Sequence, residues 1–426
     1  MYNVDFPYGK EKISYDFSGE RFNGVLVSKM HEYSPLASGA ELVRRAMESP
    51  IDSPRLCELA RGKKRIVIIA SDHTRPVPSK IIIPPMLREI REASPDADIT
   101  LLIATGCHRE TKKEELIEKF GEDIVASEKI VIHDCADRDN LVKVGILPSG
   151  GELYINRLAY EADLLVSEGF IEPHFFAGYS GGRKSVLPGV AARESVLANH
   201  CSEFIAHERA RTGILEGNPI HADMIWAAKA ARLAFIVNVI LNEKKDAIYA
   251  VAGDAEAAHR AGCDFLSGLC RAKPIPADIV ISTNGGYPLD QNIYQAVKGM
   301  TAAEATVKEG GVIIMIAKSA DGHGGEQFYR QLADEKDISK TMALFLSRGR
   351  NETVPDQWQT QIFLRILKRA SVIYVSDAPD EMVRNMHMTP AKDLRAAIKL
   401  AKSMLGNENA SITAIPDGVA VMVVDE

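Results

Sequence analysis

Hydrophobic residues along the chain fall into short unbroken runs, separated by longer stretches in which apolar positions recur at helical spacing. The runs are Arg65–Ser71 (RIVIIAS), Ile99–Ala104 (ITLLIA), Lys129–His133 (KIVIH), Asp163–Ser167 (DLLVS), Ala234–Leu241 (AFIVNVIL), Asp278–Thr283 (DIVIST), Val312–Ala317 (VIIMIA) and Ser371–Ser376 (SVIYVS). Their β-branched residues are not interleaved with polar ones, which is the pattern of strands buried on both faces, as in parallel sheets. Helical spacing follows at Ser79–Glu92, Thr111–Phe120, Ala255–Gly268, Thr301–Glu309 and Pro390–Leu405. Strand–helix alternation of this kind predicts an α/β protein. A chain of 426 residues exceeds one ordinary core, so two α/β domains with largely parallel sheets are expected. Leu269–Ala277 (LCRAKPIPA) carries two prolines and a basic patch between two strand–helix series. The boundary is placed there, giving domains 1–270 and 271–410. A last strand, Ala420–Val424 within 411–426, fits either domain.

Ligands of open α/β sheets collect at the carboxyl ends of strands. The residues there are informative. The first run is followed by Ser71–Pro76 (SDHTRP), the second by Thr105–Arg109 (TGCHR), and the fourth by Glu168–His174 leading into the glycine-rich Phe175–Lys184. A short helix then ends on His200 (VLANH). In the second half a strand runs into Asn284–Pro288 (NGGYP) and then Gln291–Lys298 (QNIYQAVK). His108, His174 and His200 therefore sit where loops converge, with Arg75, Arg183, Lys184 and Lys298 as nearby cations. The backbone of GYSGGRK, with Arg183 and Lys184, suits an anion as readily as a plain turn. It lacks the spacing of a P-loop. Gly178–Gly182 matches GxSxG in letters, but it lies well beyond its strand, so a serine hydrolase is the weaker reading. His73, His133, His207, His221, His259, His323 and His387 read as structural, and GHGGE at Gly322–Glu326 is unassigned.

Composition narrows the function classes. The chain is 46% hydrophobic and 26% charged with a net charge of −7, a globular profile without a dense basic block. That argues against nucleic-acid binding, and an anionic substrate then needs a local cationic pocket. Six scattered cysteines form no CxxC pair, so reduced thiols in a cytoplasmic protein are expected rather than a thiolate metal site. No apolar run is long enough to span a membrane, and the N-terminus lacks a signal-peptide core. HExxH is absent, which argues against a zinc hydrolase.

Five separated blocks, SDHTRPVPS, ATGCHR, SEGFIEPHFFAGYSGGRKSVLPG, LANH and NGGYPLDQNIYQAVKGM, with PDQW at Pro355–Trp358, together resemble the nickel-pincer lactate racemase family over nearly the whole chain. That resemblance implies a nickel-bearing pyridinium-3,5-bisthiocarboxylate mononucleotide attached covalently to Lys184, with His200 as the protein ligand of nickel. It implies His108 and His174 as the acid/base pair, and cofactor contacts from Asp72, His73, Thr74 and Arg75. Substrate contacts fall on Arg75, Tyr294, Gln295, Lys298 and Trp358, in an active-site cleft between the two domains. The implied partners are lactate and the enzymes that build the cofactor.

The chemistry requires such parts. Racemising a 2-hydroxyacid by proton abstraction would place a carbanion beside a carboxylate, and the carbon acid is too weak for an imidazole near neutral pH. Removing the α-hydrogen as hydride while a histidine takes the hydroxyl proton gives planar pyruvate, open to return on either face. Imidazoles titrate near working pH and suit this proton transfer. Two other readings remain open. One is a racemase or epimerase of another small 2-hydroxyacid with the same cofactor. The other is a non-catalytic carrier of the nickel nucleotide, which would not need Gln295, Lys298 and the acid/base pair.

Overall fold

The computed structural model describes residues 2–424. The chain divides into two compact units: Met30–His200 with His207–Leu269, and Met1–Lys29 with Cys201–Ala206 and Cys270–Glu426. Both are α/β, as the alternating pattern predicts.

The first unit is built on a six-stranded sheet in the order Ala247–Gly253, Leu233–Leu241, Leu164–Phe170, Arg65–Ser71, Asp98–Ala104, Lys129–Ile132. All neighbours are parallel except the Ala247–Gly253 edge, which is antiparallel. Every residue of Leu164–Phe170 is buried, which is why its sequence shows no alternation. Helix Ser79–Ala93 lays Ile82, Ile83, Met86, Leu87 and Ile90 onto the core. Each such side chain contributes about 1.5–3 kcal/mol relative to exposure. The predicted strands recur within a few residues. The Ala247–Gly253 edge, paired with its neighbour through the Asn242–Asp246 turn, was not predicted.

The second unit carries a fully parallel sheet, ordered Thr389–Ala391, Ser371–Val375, Val307–Ile316, Ala277–Thr283, Ile412–Ile415, Phe22–Val25. Three expectations are corrected. The N-terminal residues do not join domain 1–270: Phe22–Val25 pairs with Ile412–Ile415, and the hairpin Asn3–Tyr8/Glu11–Asp16 buries Phe6 in the core beneath this sheet. The final strand contracts to Met422–Val423 and pairs only with Arg271–Ala272, so it stays with the second unit. The helix expected at Thr301–Glu309 lies earlier in the chain. The helix is Ile293–Glu304, burying Ile293, Ala296, Val297, Met300 and Ala303, and Val307 already begins a strand.

The six cysteines are free thiols. No described helix is long and apolar enough to cross a membrane.

Candidate active site

Strand Arg65–Ser71 delivers its last residues to a loop fixed by a buried carboxylate. Glu168, at the end of the neighbouring strand and 2% exposed, accepts hydrogen bonds from Ser71 N (3.0 Å), Ser71 Oγ (2.9 Å) and Ser79 Oγ (3.0 Å). Both ends of residues 72–78 are thereby tied down, and Lys119 Nζ adds a bond to the Arg75 carbonyl (3.0 Å). Within this frame Asp72 is 1% exposed. Its Oδ1 accepts from Thr74 Oγ1 (2.6 Å) and Oδ2 from His108 Nδ1 (2.8 Å). Burial acts to raise the Asp72 pKa, but His108 and Thr74 outweigh it and hold the carboxyl below its usual range. Arg75 is exposed, with Nη1 on Thr74 Oγ1 (2.9 Å). His73 turns aside to Thr111 Oγ1 (3.0 Å), and burial lowers its pKa. So Asp72, Thr74, Arg75 and His108 come together, with the Asp72 side chain committed inward.

A second group assembles from the long segment after Leu164–Phe170. Pro173–His174 and Gly178–Tyr179 form a two-residue ladder, which folds residues 173–179 back on themselves. His174 Nδ1 accepts from the Ala177 N–H (3.2 Å). The 3₁₀ turn Gly182–Ser185 follows and presents Lys184. Helix Arg193–Asn199 ends on His200, whose N–H closes onto the Val196 carbonyl (3.0 Å). One aromatic ring links these side chains. Phe176, 4% exposed, meets His174 edge-on at 4.5 Å and His200 edge-on at 5.0 Å, and carries Lys184 Nζ 5.8 Å from its centroid. Burial, and then the Lys184 charge, push the His200 pKa down to about 3, so this imidazole is neutral at physiological pH.

In the second unit, Asn292 caps helix Ile293–Glu304 by accepting from Gln295 N (3.0 Å). Tyr294, Gln295 and Lys298 are each partly buried on the first turns of that helix. Gln295 and Lys298 share a face by their spacing of three. The Tyr294 ring stands edge-on to Phe328 at 5.3 Å, and its hydroxyl bonds with Asp356 and Trp358. Burial raises the pKa of both Tyr294 and Asp356.

These blocks have known counterparts. The family model for the lactate racemase N-terminal domain matches residues 8–213, and that for the lactate racemase C-terminal domain matches residues 272–423. The chain belongs to the lactate racemase family. It is 56% identical to the lactate racemase of Thermoanaerobacterium thermosaccharolyticum, over 99% of both chains, and 55% identical to that of Lactiplantibacillus plantarum, over 99% of this chain and all of that one. The solved lactate racemase apoprotein from T. thermosaccharolyticum superposes with a TM-score of 0.96, covering 99% of this chain and 100% of that one. A Thermotoga maritima protein of 19% identity shares the fold at a TM-score of 0.66, over 91% of this chain and 99% of that one. By this membership the chain is an isomerase, a racemase.

The structure decides two readings that the sequence left open. Arg183 is not part of an anion cradle: it is 0% exposed, and its donors turn to internal carbonyls and imidazoles. Ser180 is no nucleophile, because its Oγ donates to the Phe170 carbonyl (3.0 Å) and accepts from Glu172 N (2.9 Å). Phe176 and Glu168 escaped the sequence reading, and so did the grouping of Arg183 with His221 and His259. The first two had a faint signal, an apolar pair between PH and GY and an acid inside a buried run. The third had none, since its members lie up to 76 residues apart.

Proposed function

We propose that this racemase interconverts D- and L-lactate, with His108 and His174 as its acid and base. One observation carries the reading: the two imidazoles present opposite Nε2 states. His108 gives its Nδ1 proton to the Asp72 carboxylate (2.8 Å), so its neutral ring has a lone pair on Nε2. His174 accepts the Ala177 N–H at Nδ1 (3.2 Å), so its neutral ring carries the proton on Nε2. In these tautomers His108 Nε2 can accept the substrate hydroxyl proton and His174 offers an Nε2–H as a hydrogen-bond donor; the ring that returns a proton does so as an imidazolium, and the protonated and proton-free rings exchange when the opposite enantiomer binds. Asp72 also stabilises the imidazolium that His108 becomes.

The residues present fit a nickel nucleotide tethered to the chain. His200 is neutral and buried, the state in which an imidazole ligates a metal. Among the described residues no group of three His, Cys, Asp or Glu side chains is placed to hold a metal ion. A metal at His200 therefore draws its other donors from the cofactor, as a pincer supplies them. Lys184, on the same Phe176 ring, is the residue proposed to carry the covalent link. When bound, the group supplies an electron-poor centre that accepts the C2 hydrogen as hydride. The chain's own part is to move the hydroxyl proton at Nε2 and to exclude water through Phe175 and Phe176, both buried; Arg75 of the first unit, and Lys298, Gln295, Tyr294 and Trp358 of the second, are each proposed as substrate contacts. His73 and Thr74 are proposed as cofactor contacts, and Asp72 as the group that orients His108.

The test is protein co-produced with the cofactor-building enzymes, analysed by intact mass and nickel content and then assayed on chiral lactate deuterated at C2. Added mass on Lys184, nickel, and inversion with the label retained are expected. Free loss of deuterium to water during each inversion refutes the hydride reading.

A further inference from the structure

Among the described residues Arg183 is the largest fully buried side chain, and no carboxylate there is paired with its charge. Its acceptors are neutral. Nη2 donates to the Ala177 carbonyl (2.7 Å), Nη1 to the carbonyls of Ser180 (3.4 Å) and Gly181 (3.3 Å), and Nε to His221 Nδ1 (3.0 Å). His259 Nε2 lies 2.9 Å from Nη1 and 2.8 Å from the Ser180 carbonyl. Burial lowers Arg183 to about 10 and His221 to about 3, and it takes His259 well below its usual value, so a cation faces two neutral rings. Burying a cation among dipoles alone is unfavourable compared with an apolar side chain of similar volume, unless the dipoles it holds have a use.

Those dipoles belong to the segment that carries the candidate machinery. The Ala177 residue that offers its carbonyl to Nη2 is the one whose N–H fixes His174 Nδ1. The Gly181 carbonyl that accepts from Nη1 also accepts the Lys184 N–H (3.2 Å). The turn between is bent to fit: Gly181 and Gly182 have φ of +74° and +53°, and a Cβ on Gly182 would lie 2.7 Å from the His259 ring. One guanidinium thus grips both ends of the turn, the histidine end and the lysine end.

The geometry points to Arg183 as a positioning residue that sets the His174 ring and the Lys184 amine from inside the protein through the carbonyls of residues 177–181. This deepens the function proposed above and rests on it for His174 and Lys184. The test compares Arg183→Lys and Arg183→Met with wild type, using ¹⁵N-histidine NMR of the apoprotein, with the His174 signal assigned from His174→Gln. Intact mass and kcat per loaded chain are measured on the holoenzyme. A lysine cannot span three carbonyls, and a methionine spans none. Displacement of a catalytic group by about 1 Å costs on the order of 10²-fold. The expected result is loss of the Nε2–H tautomer pattern at His174 and a fall of that order in kcat with KM little changed. A role in folding alone would lower the thermal midpoint while folded, loaded chains kept wild-type kcat and His174 signals, and that result overturns the proposal. If neither variant folds, His221→Asn removes the Nε partner from the partly exposed rim. There a smaller shift of the His174 signals is expected, and unchanged signals overturn the proposal. Wild type without mass on Lys184 would sink the function proposed above, whereas the His174 resonances would still decide the clamp.

Discussion

Replacing Asp72 by Asn separates two roles for that residue. Asn keeps the size of the side chain and an oxygen for Thr74, but removes the charge that faces His108 Nδ1 at 2.8 Å. Asp72 is 1% exposed, so water cannot take its place. A charge-assisted hydrogen bond is worth about 1.5–3 kcal/mol. At roughly 1.36 kcal/mol per tenfold in rate, Asp72→Asn should lower kcat about 10- to 150-fold in both directions. The loss should appear in kcat more than KM, because the charge matters most when His108 becomes an imidazolium. The assay is chiral chromatography of lactate racemised from each enantiomer, normalised to the mass adduct on Lys184. Wild-type kcat in the variant refutes the orienting role. A loss of activity that merely tracks loss of the adduct would make Asp72 a cofactor contact instead.

Three further outcomes follow from the same geometry. Lys184→Ala should leave a folded protein with no added mass in the intact-mass spectrum after co-production with the cofactor-building enzymes. Gly182→Ala forces a left-handed φ on an L-residue, at about 1–2 kcal/mol, and pushes its methyl against His259, so the thermal midpoint should fall by at least several degrees in calorimetry. The apoprotein should lose stability on mild acidification: His200 and His259 have folded pKa values below the unfolded value near 6.5, so the unfolded chain binds the extra protons as pH falls. That stability is intact above pH 6.5 and declines toward pH 3. His200 alone contributes roughly 1.4 kcal/mol between pH 7.5 and 5.5, with His259 acting in the same direction, and a urea midpoint that does not move over that range refutes it.

The parts of the fold legible in the sequence were those whose burial is two-sided. Leu164–Phe170 and Arg65–Ser71 read as strands because neither face meets water. Ala247–Gly253 did not, since it is an edge strand whose Tyr249 and Ala250 are only partly covered. The N-terminal hairpin escaped because its partner sheet is formed from residues near the far end of the chain. The candidate site was legible wherever a functional residue directly follows a strand, as Asp72 and His108 do. What the sequence withheld was the pairing. Nothing in spacing tells that Asp72 turns inward to His108 across 36 residues, or that Phe176 lies against a lysine and two histidines. Those contacts depend on loops from adjacent strands meeting, and register between strands is a tertiary property.

The histidines show how one side-chain type is sorted by its surroundings. Residues His200, His221 and His259 lie where burial, and a neighbouring Lys184 or Arg183, keep them uncharged, so they can act only as lone-pair donors or as neutral hydrogen-bond partners. His108 has the opposite setting: its side chain is 44% exposed and its Nδ1 rests on the Asp72 carboxylate. Under the roles proposed above, exchanging these environments would disable both sets, because a ligand histidine that charges releases its metal and an acid/base histidine that cannot charge moves no proton. The fold achieves the separation by depth and by the charged neighbour each ring is given. His200 is carried inward on the end of helix Arg193–Asn199, and His108 is left on the loop above strand Asp98–Ala104 with Asp72 beneath it. Burial therefore assigns the chemistry of each ring before any substrate arrives.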